Sequence, residues 1–142
     1  MSIYHELFEQ GLVDRARLVP VRLASNADLA LVHDRKLVRG ATATYETDEE
    51  ATAALGIDTD TYFRAKHSGY AARLSAGSVV ELATRVAQGE LRNALAVTRP
   101  PGHHCEQHQS MGFCLLNNVP VAVAALRERH SVRRVRSHRP TP

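Results

Sequence analysis

Apolar residues recur at helical intervals in four places along the chain and form short unbroken runs in two others. Ile3, Leu7 and Phe8 share one face and precede Gly11, a natural stop, so residues 3–10 are predicted to be a short helix. Residues 18–21 (Leu-Val-Pro-Val) read as a brief strand; Ser25 or Asn26 then caps a helix carrying Leu29, Leu31 and Val32 up to His33. Strand and helix make a first α/β unit. Residues 40–60, rich in Thr, Asp, Glu and Ala with little apolar period, are expected to be a loop with at most a short helical turn, closed by Asp58-Thr59-Asp60 as a cap. Residues 61–88 carry Ala65, Gly69, Ala72, Ala76, Val79, Val80, Ala83, Val86 and Ala87, whose steps of three and four predict a long helix with a small-residue stripe ending at Gly89. Residues 91–98 read as a buried parallel strand that Pro100 and Pro101 terminate. Asn117-Asn118 opens a last helix over 119–130, with Pro120 tolerated in its first turn. Residues 131–142 begin as a strand would, with Val132 and Val135, and then turn into Arg-Ser-His-Arg-Pro-Thr-Pro. That composition sustains no sheet strand.

A polar, irregular stretch interrupts this pattern between the second strand and the last helix. Arg99-Pro100-Pro101-Gly102-His103-His104 is followed by Gly112-Phe113-Cys114. Two adjacent imidazoles after a stiff proline entry suit general acid/base work, because histidine changes protonation near neutral pH. The loop leaves a predicted strand's C-terminal end, where open α/β sheets place their ligands. Ordinary loop histidines bonded to backbone, and a Phe113 that merely packs, are the competing readings of the same residues. His103, His104, Cys105, His108 and Cys114 also contain zinc-ligand types, but they crowd one loop and lack the two separated ligand hooks of a structural zinc site. His33, His67 and His138 are isolated and read as surface or capping groups. Asp58 and Asp60 most simply serve a helix N-terminus and alternatively line a substrate rim.

Length, charge and cysteine usage narrow the class. The chain has 142 residues, 44% hydrophobic, 23% charged and 5% aromatic with no Trp, which fits one soluble domain with a core of Ala, Val and Leu. The net charge of +3 is local: without Arg133, Arg134, Arg136 and Arg139 the balance is fourteen basic to fifteen acidic. Direct nucleic-acid binding is therefore not expected. Cys105 and Cys114 form no disulfide framework, no stretch reaches a membrane span, and residues 1–6 make neither a signal nor a transit peptide, so an intracellular protein is expected.

The residues quoted so far resemble those of the zinc-dependent histone deacetylases, class II type. Arg99-Pro100-Pro101-Gly102-His103-His104, Met111-Gly112-Phe113-Cys114 and Asn117-Asn118-Val119 are similar to that family's signature. The likeness extends upstream through His67-Ser68-Gly69-Tyr70-Ala71-Ala72-Arg73, residues 77–81 and residues 86–91. It implies an α/β fold with the three-layer, arginase-like parallel sheet and flanking helices, incomplete in this chain, over residues 1–135, with 136–142 a basic, disordered or out-of-frame tail. It further implies hydrolysis of acetyl-lysine by a zinc-activated water. By resemblance, His104 would be the general base and His103 a second hydrogen-bonding imidazole at the same centre. Phe113 would be a channel wall, Gly112 would let the substrate chain pass, and Asp58 or Asp60 would lie near the entrance. The implied partners are acetylated histone tails or other acetyl-lysine proteins and co-repressor proteins, in nucleus, cytoplasm or both, with no membrane.

The family's Asp-x-Asp-x-His-His-Gly strand, its later Asp ligand and its transition-state Tyr or His have no counterpart in these 142 residues. Zinc therefore belongs to the complete family enzyme, with none expected on this chain, no metal ligand assigned and no deacetylase activity expected from this polypeptide alone. An incomplete sheet would also leave an edge and an apolar face open, and association or marginal stability is expected. A non-catalytic interaction protein retaining half of the deacetylase fold is the alternative, and an ancestor acting on acetylated polyamines is a third. Translating the transcript beyond codon 135 in all frames, in search of that missing strand, separates the first two.

Overall fold

Side-chain oxygens placed just ahead of helical stretches set most of the helix starts. The computed structural model describes residues 2–43, 46–55, 57, 63–64 and 67–138. Helix α1 (Ile3–Glu9) begins where the Ser2 hydroxyl accepts from the His5 N–H at 3.2 Å. Helix α2 (Asn26–Ala30) begins with a reciprocal capping box: the Asp28 N–H donates to Ser25 Oγ at 3.0 Å and the Ser25 N–H to Asp28 Oδ2 at 2.9 Å. Helix α3 (Arg35–Thr42) starts on the Asp34 carboxylate, which accepts from the Leu37 N–H at 2.8 Å. Helices α4 (Asp48–Leu55), α5 (Ser68–Ala87) and α6 (Asn118–His130) follow. Gly89 (φ +76°) lies just beyond the Gln88 cap of α5, and left-handed Ser131 closes α6.

Helix α5 is the axis of the core. It packs chiefly on α6, while α3 lies on α5 and α2 on α6. Ala72, Ser75, Ala76, Gly77 and Val80 of α5 are buried, so the small-residue stripe is the face along which other chain segments approach. The closest approach is at Gly77, where an added Cβ would fall on backbone atoms of Arg22, Leu23 and Ala24. The Ala24 N–H donates to the Arg73 carbonyl at 2.9 Å, and Arg73 Nε and Nη2 return to the Ala24 carbonyl at 3.0 and 2.9 Å. Gly77→Ala is therefore expected to lower unfolding free energy by about 1–3 kcal/mol, as overpacking against unyielding atoms does. Urea unfolding with an unchanged midpoint would contradict that packing.

Helices 3–10, 26–33 and 119–130 occur within a few residues of the predicted limits. Four expectations are corrected. The long helix starts at Ser68 rather than 61; of the residues before it, 61, 62, 65 and 66 lie outside those described. The loop expected over 40–60 holds the end of α3 and all of α4. Helix α3 was hidden because its buried set, Leu37, Val38, Gly40 and Ala41, is short and interleaved with Arg35, Lys36 and Arg39. Residues 18–21 and 91–98 form no strand, and Leu18, Val21, Leu95 and Val97 are exposed. A parallel strand acquires its ladder and its burial from neighbours, and none lies beside these segments among the described residues. The parallel sheet itself is likewise not formed there; the sheet-like pairing observed is an isolated bridge between Met111 and Cys114.

Candidate functional site

The polar loop between residues 99 and 117 is tied down by its own backbone and by two buried thiols. At its near end the Gly102 carbonyl accepts from the Asn118 N–H at 3.0 Å, with the buried Asn118 side chain filling the space beside Gly102. Further along, Met111 and Cys114 exchange both backbone hydrogen bonds at 3.0 and 2.9 Å. That tight turn needs left-handed backbone at Gly112 (φ +55°) and Phe113 (φ +63°), which suits glycine at the first and strains the second.

Cys114 joins the turn to the histidine pair. Its fully buried sulfur accepts the backbone N–H of His103 at 3.3 Å and of His104 at 3.4 Å. The two imidazole rings sit with centroids 4.3 Å apart and planes tilted by 57°. Gly112 faces His104 so closely that an added Cβ would lie 3.1 Å from the ring. His103 is exposed and His104 half-buried, and Phe113 stands 56% exposed at the lip of the loop. The sequence-predicted residues His103, His104, Gly112 and Phe113 thus converge, while Asp58 and Asp60 lie outside the described residues.

Cys105 has a different part. Its buried thiol lies 3.3 Å from the carbonyls of Glu106, Gln109 and Leu115. Burial, with Cys114 and Glu106 close by, pushes that thiol up to about 12, which favours its protonated form. Asn117 Nδ2 donates to the Cys105 carbonyl at 2.7 Å, and Ser110 Oγ to the Leu115 carbonyl at 3.1 Å.

One histidine departs from expectation. His33, read as a surface or capping group, is 3% exposed and reaches the loop from the α2–α3 turn. Its Nδ1 lies 3.0 Å from the Glu106 carbonyl, and its Nε2 accepts the Asn117 N–H at 3.0 Å. The adjacent Asp34 N–H donates to the Gln107 carbonyl at 2.9 Å. No local pattern could reveal this, since the partners lie 73 and 84 positions away. His67 occupies the N-cap position of α5 without a side-chain cap bond, and His138 is exposed.

Two tilted imidazoles on a braced loop, flanked by a side-chain-free position and an exposed aromatic, can accept and return a proton at a group seated against them. Among the described residues no three His, Cys, Asp or Glu side chains gather as a metal would require. His108 stands apart, exposed, with Nε2 4.0 Å from Glu106 Oε2. No helix among the described residues is long and apolar enough to cross a membrane.

Comparison with known proteins bears on this loop. A family model described as the histone deacetylase domain matches residues 1–136. The chain is 38% identical over 143 residues to Histone deacetylase 4 of Caenorhabditis elegans, covering 91% of this chain and 16% of that protein. It is 34% identical over 152 residues to Histone deacetylase 9 of Homo sapiens, covering 94% of this chain and 15% of that protein. With Histone deacetylase clr3 of Schizosaccharomyces pombe it shares 39% identity over 111 residues, 78% of this chain and 16% of the relative. The chain therefore spans about one-sixth of the length of the relatives it matches.

Proposed function

The chain belongs to the histone deacetylase family, and on that premise we propose that its 99–117 loop is the proton-handling part of a centre that hydrolyses the amide of acetyl-lysine. The observation that carries this reading is the histidine pair pinned through Cys114 beside Gly112 and Phe113. A water oxygen bonds to the amide carbonyl carbon as His104 takes one of the water's protons. Collapse of the adduct breaks the carbon–nitrogen bond, and the imidazolium returns its proton to the departing lysine nitrogen, leaving acetic acid, which becomes acetate by giving up the water's second proton to solvent or to the free amine. His103 hydrogen-bonds at the same centre. Phe113 offers an aromatic wall to the lysine methylenes, the bare Gly112 keeps the lane next to His104 open, and Asp58 or Asp60 holds the substrate backbone at the entrance.

In the complete family enzyme zinc supplies a polarising cation and a more acidic water. The described residues do not fit such an ion, because two imidazoles find no third ligand beside them. The fold is that of the family, with residues 18–21 and 91–98 as strands of its parallel sheet once neighbours stand alongside. The proposed substrates are acetylated histone tails and other acetylated proteins, with co-repressor proteins as partners, in nucleus or cytoplasm. The exposed Leu18, Val21, Leu95 and Val97 favour a second reading, a non-catalytic protein that binds a partner through this half of the fold.

The 142-residue chain with zinc and an acetyl-lysine peptide is expected to give background hydrolysis, and turnover that His104→Ala removes would overturn this. For the family activity, residues 1–136 replace the matching segment of the C. elegans Histone deacetylase 4. The chimera is expected to release acetate from the peptide. A chimera that melts like its parent but leaves the peptide intact would instead favour the interaction reading.

A further inference from the structure

A histidine that accepts a hydrogen bond at one ring nitrogen carries no proton there. His33 Nε2 receives the Asn117 N–H, so in the neutral ring Nδ1 bears the proton and donates it to the Glu106 carbonyl. Both nitrogens are thereby spent on backbone, one on each arm of the loop that carries the histidine pair. Asn117 is also the N-cap residue of α6, and Glu106 lies two residues after His104. The ring therefore spans the loop from beneath, at 3% exposure, and holds its two arms at a set separation.

We infer that His33 is a positioning residue for the imidazole pair, a buried donor–acceptor bridge that sets where His103 and His104 stand; this rests on the deacetylase reading of that pair. A simple space-filling role would leave the two backbone groups free to find other partners. Among the described residues the Asn117 N–H makes its hydrogen bond to His33 alone, while the Glu106 carbonyl also lies 3.3 Å from the Cys105 thiol, a weak donor, so loss of the ring falls chiefly on Asn117. Burial holds the His33 ring below its ordinary range against the raising effect of the Glu106 and Gln107 carbonyls and the Asp34 charge, which keeps the bridge in its neutral form.

The test uses the full 142-residue chain and nuclear magnetic resonance. At neutral pH the imidazole nitrogen shifts of His33 are expected to show the Nδ1–H tautomer with a bare, hydrogen-bonded Nε2. In His33→Leu, which fills the space without the bridge, amide exchange at Asn117, His103 and His104 is expected to rise about tenfold or more, the equivalent of one lost buried hydrogen bond. Exchange at Ala76 and Val80 in α5 stays as before, and His33→Gln, whose amide offers donor and acceptor on one plane, restores most of the protection. An Nε2–H or doubly protonated His33 overturns the inference, as does unchanged loop exchange or an equal rise in α5. The tautomer is read on the unaltered chain, so a variant that fails to fold leaves the question decidable. In the chimera, His33→Leu is expected to lower kcat with KM near its parent value. An inactive parent chimera would count against the deacetylase reading and leave the exchange result standing.

Discussion

In the chimera carrying residues 1–136, His104→Ala is expected to lower kcat by about 10²–10⁴-fold, the range that a positioned general base contributes. On the proposed reading the loss falls on kcat, because a half-buried His104 would act on the reacting water and offer little surface to the substrate chain. KM should stay within a few-fold of the parent. Cys114 accepts the backbone N–H groups of His103 and His104, so removing an imidazole leaves the loop's anchors in place. His103→Ala is expected to cost less, since its proposed part is a hydrogen bond at the same centre rather than the proton transfer itself. Rates of acetate release from a peptide under saturating conditions decide the matter. A His104→Ala chimera within tenfold of its parent would remove His104 from the role of base.

Asp28→Ala is expected to lower unfolding free energy by about 2–4 kcal/mol, the largest stability effect anticipated for a single side chain here. The carboxylate is 1% exposed and closes the capping box of α2, receives Arg22 Nη1 at 3.0 Å and pairs with Arg129 from the end of α6. Arg22 in turn reaches Glu81 of α5 at 3.2 Å, so one buried charge ties three helices. Arg22 and Arg129 are 34% and 42% exposed and rehydrate when the carboxylate is removed, which keeps the cost below that of stranding a buried ion. Urea unfolding should show a lower midpoint with an unchanged slope. A shift worth less than about 0.5 kcal/mol would class the cluster with exposed ion pairs.

The same residue sets an acid limb. Burial on its own would raise the Asp28 carboxyl, but the Ser25 N–H and the guanidinium groups of Arg22 and Arg129 outweigh it and hold the group well below the usual carboxylate range. The unfolded chain then binds the proton more readily than the folded one. The stabilisation is complete above the ordinary value of 3.8 and drains away as pH falls below it. In Asp28→Ala this part of the acid dependence should be missing.

Helix ends were legible in the residues because capping is local. Ser25 before Asn26 and Gly89 after α5 act within four positions of themselves, and each stands where its side chain or backbone freedom predicts, whereas Asn117 at the start of α6 makes no side-chain cap bond and turns its side chain to Cys105. The histidine pair and the Gly112-Phe113 step were legible for a similar reason, being one short run of unusual composition. Helix α3 escaped because Arg35, Lys36 and Arg39 break up its short apolar set, and α4 because Asp48, Glu49 and Glu50 dilute its apolar period.

Residue order by itself marked α1, α2, α6 and the end of α5, and singled out the histidine loop as the candidate site. Tertiary structure alone decided that His33 is buried under that loop and that Asp28 meets Arg129, because those partners lie far apart along the chain and meet only when the elements that carry them pack; Cys114 reaches the backbone of the two histidines within the fold of the loop itself. The runs at 18–21 and 91–98 show the same physics from the other side. Their apolar composition suits strands, but a strand is a relation between neighbours, and with none alongside among the described residues they stay unpaired, with Leu18, Val21, Leu95 and Val97 exposed.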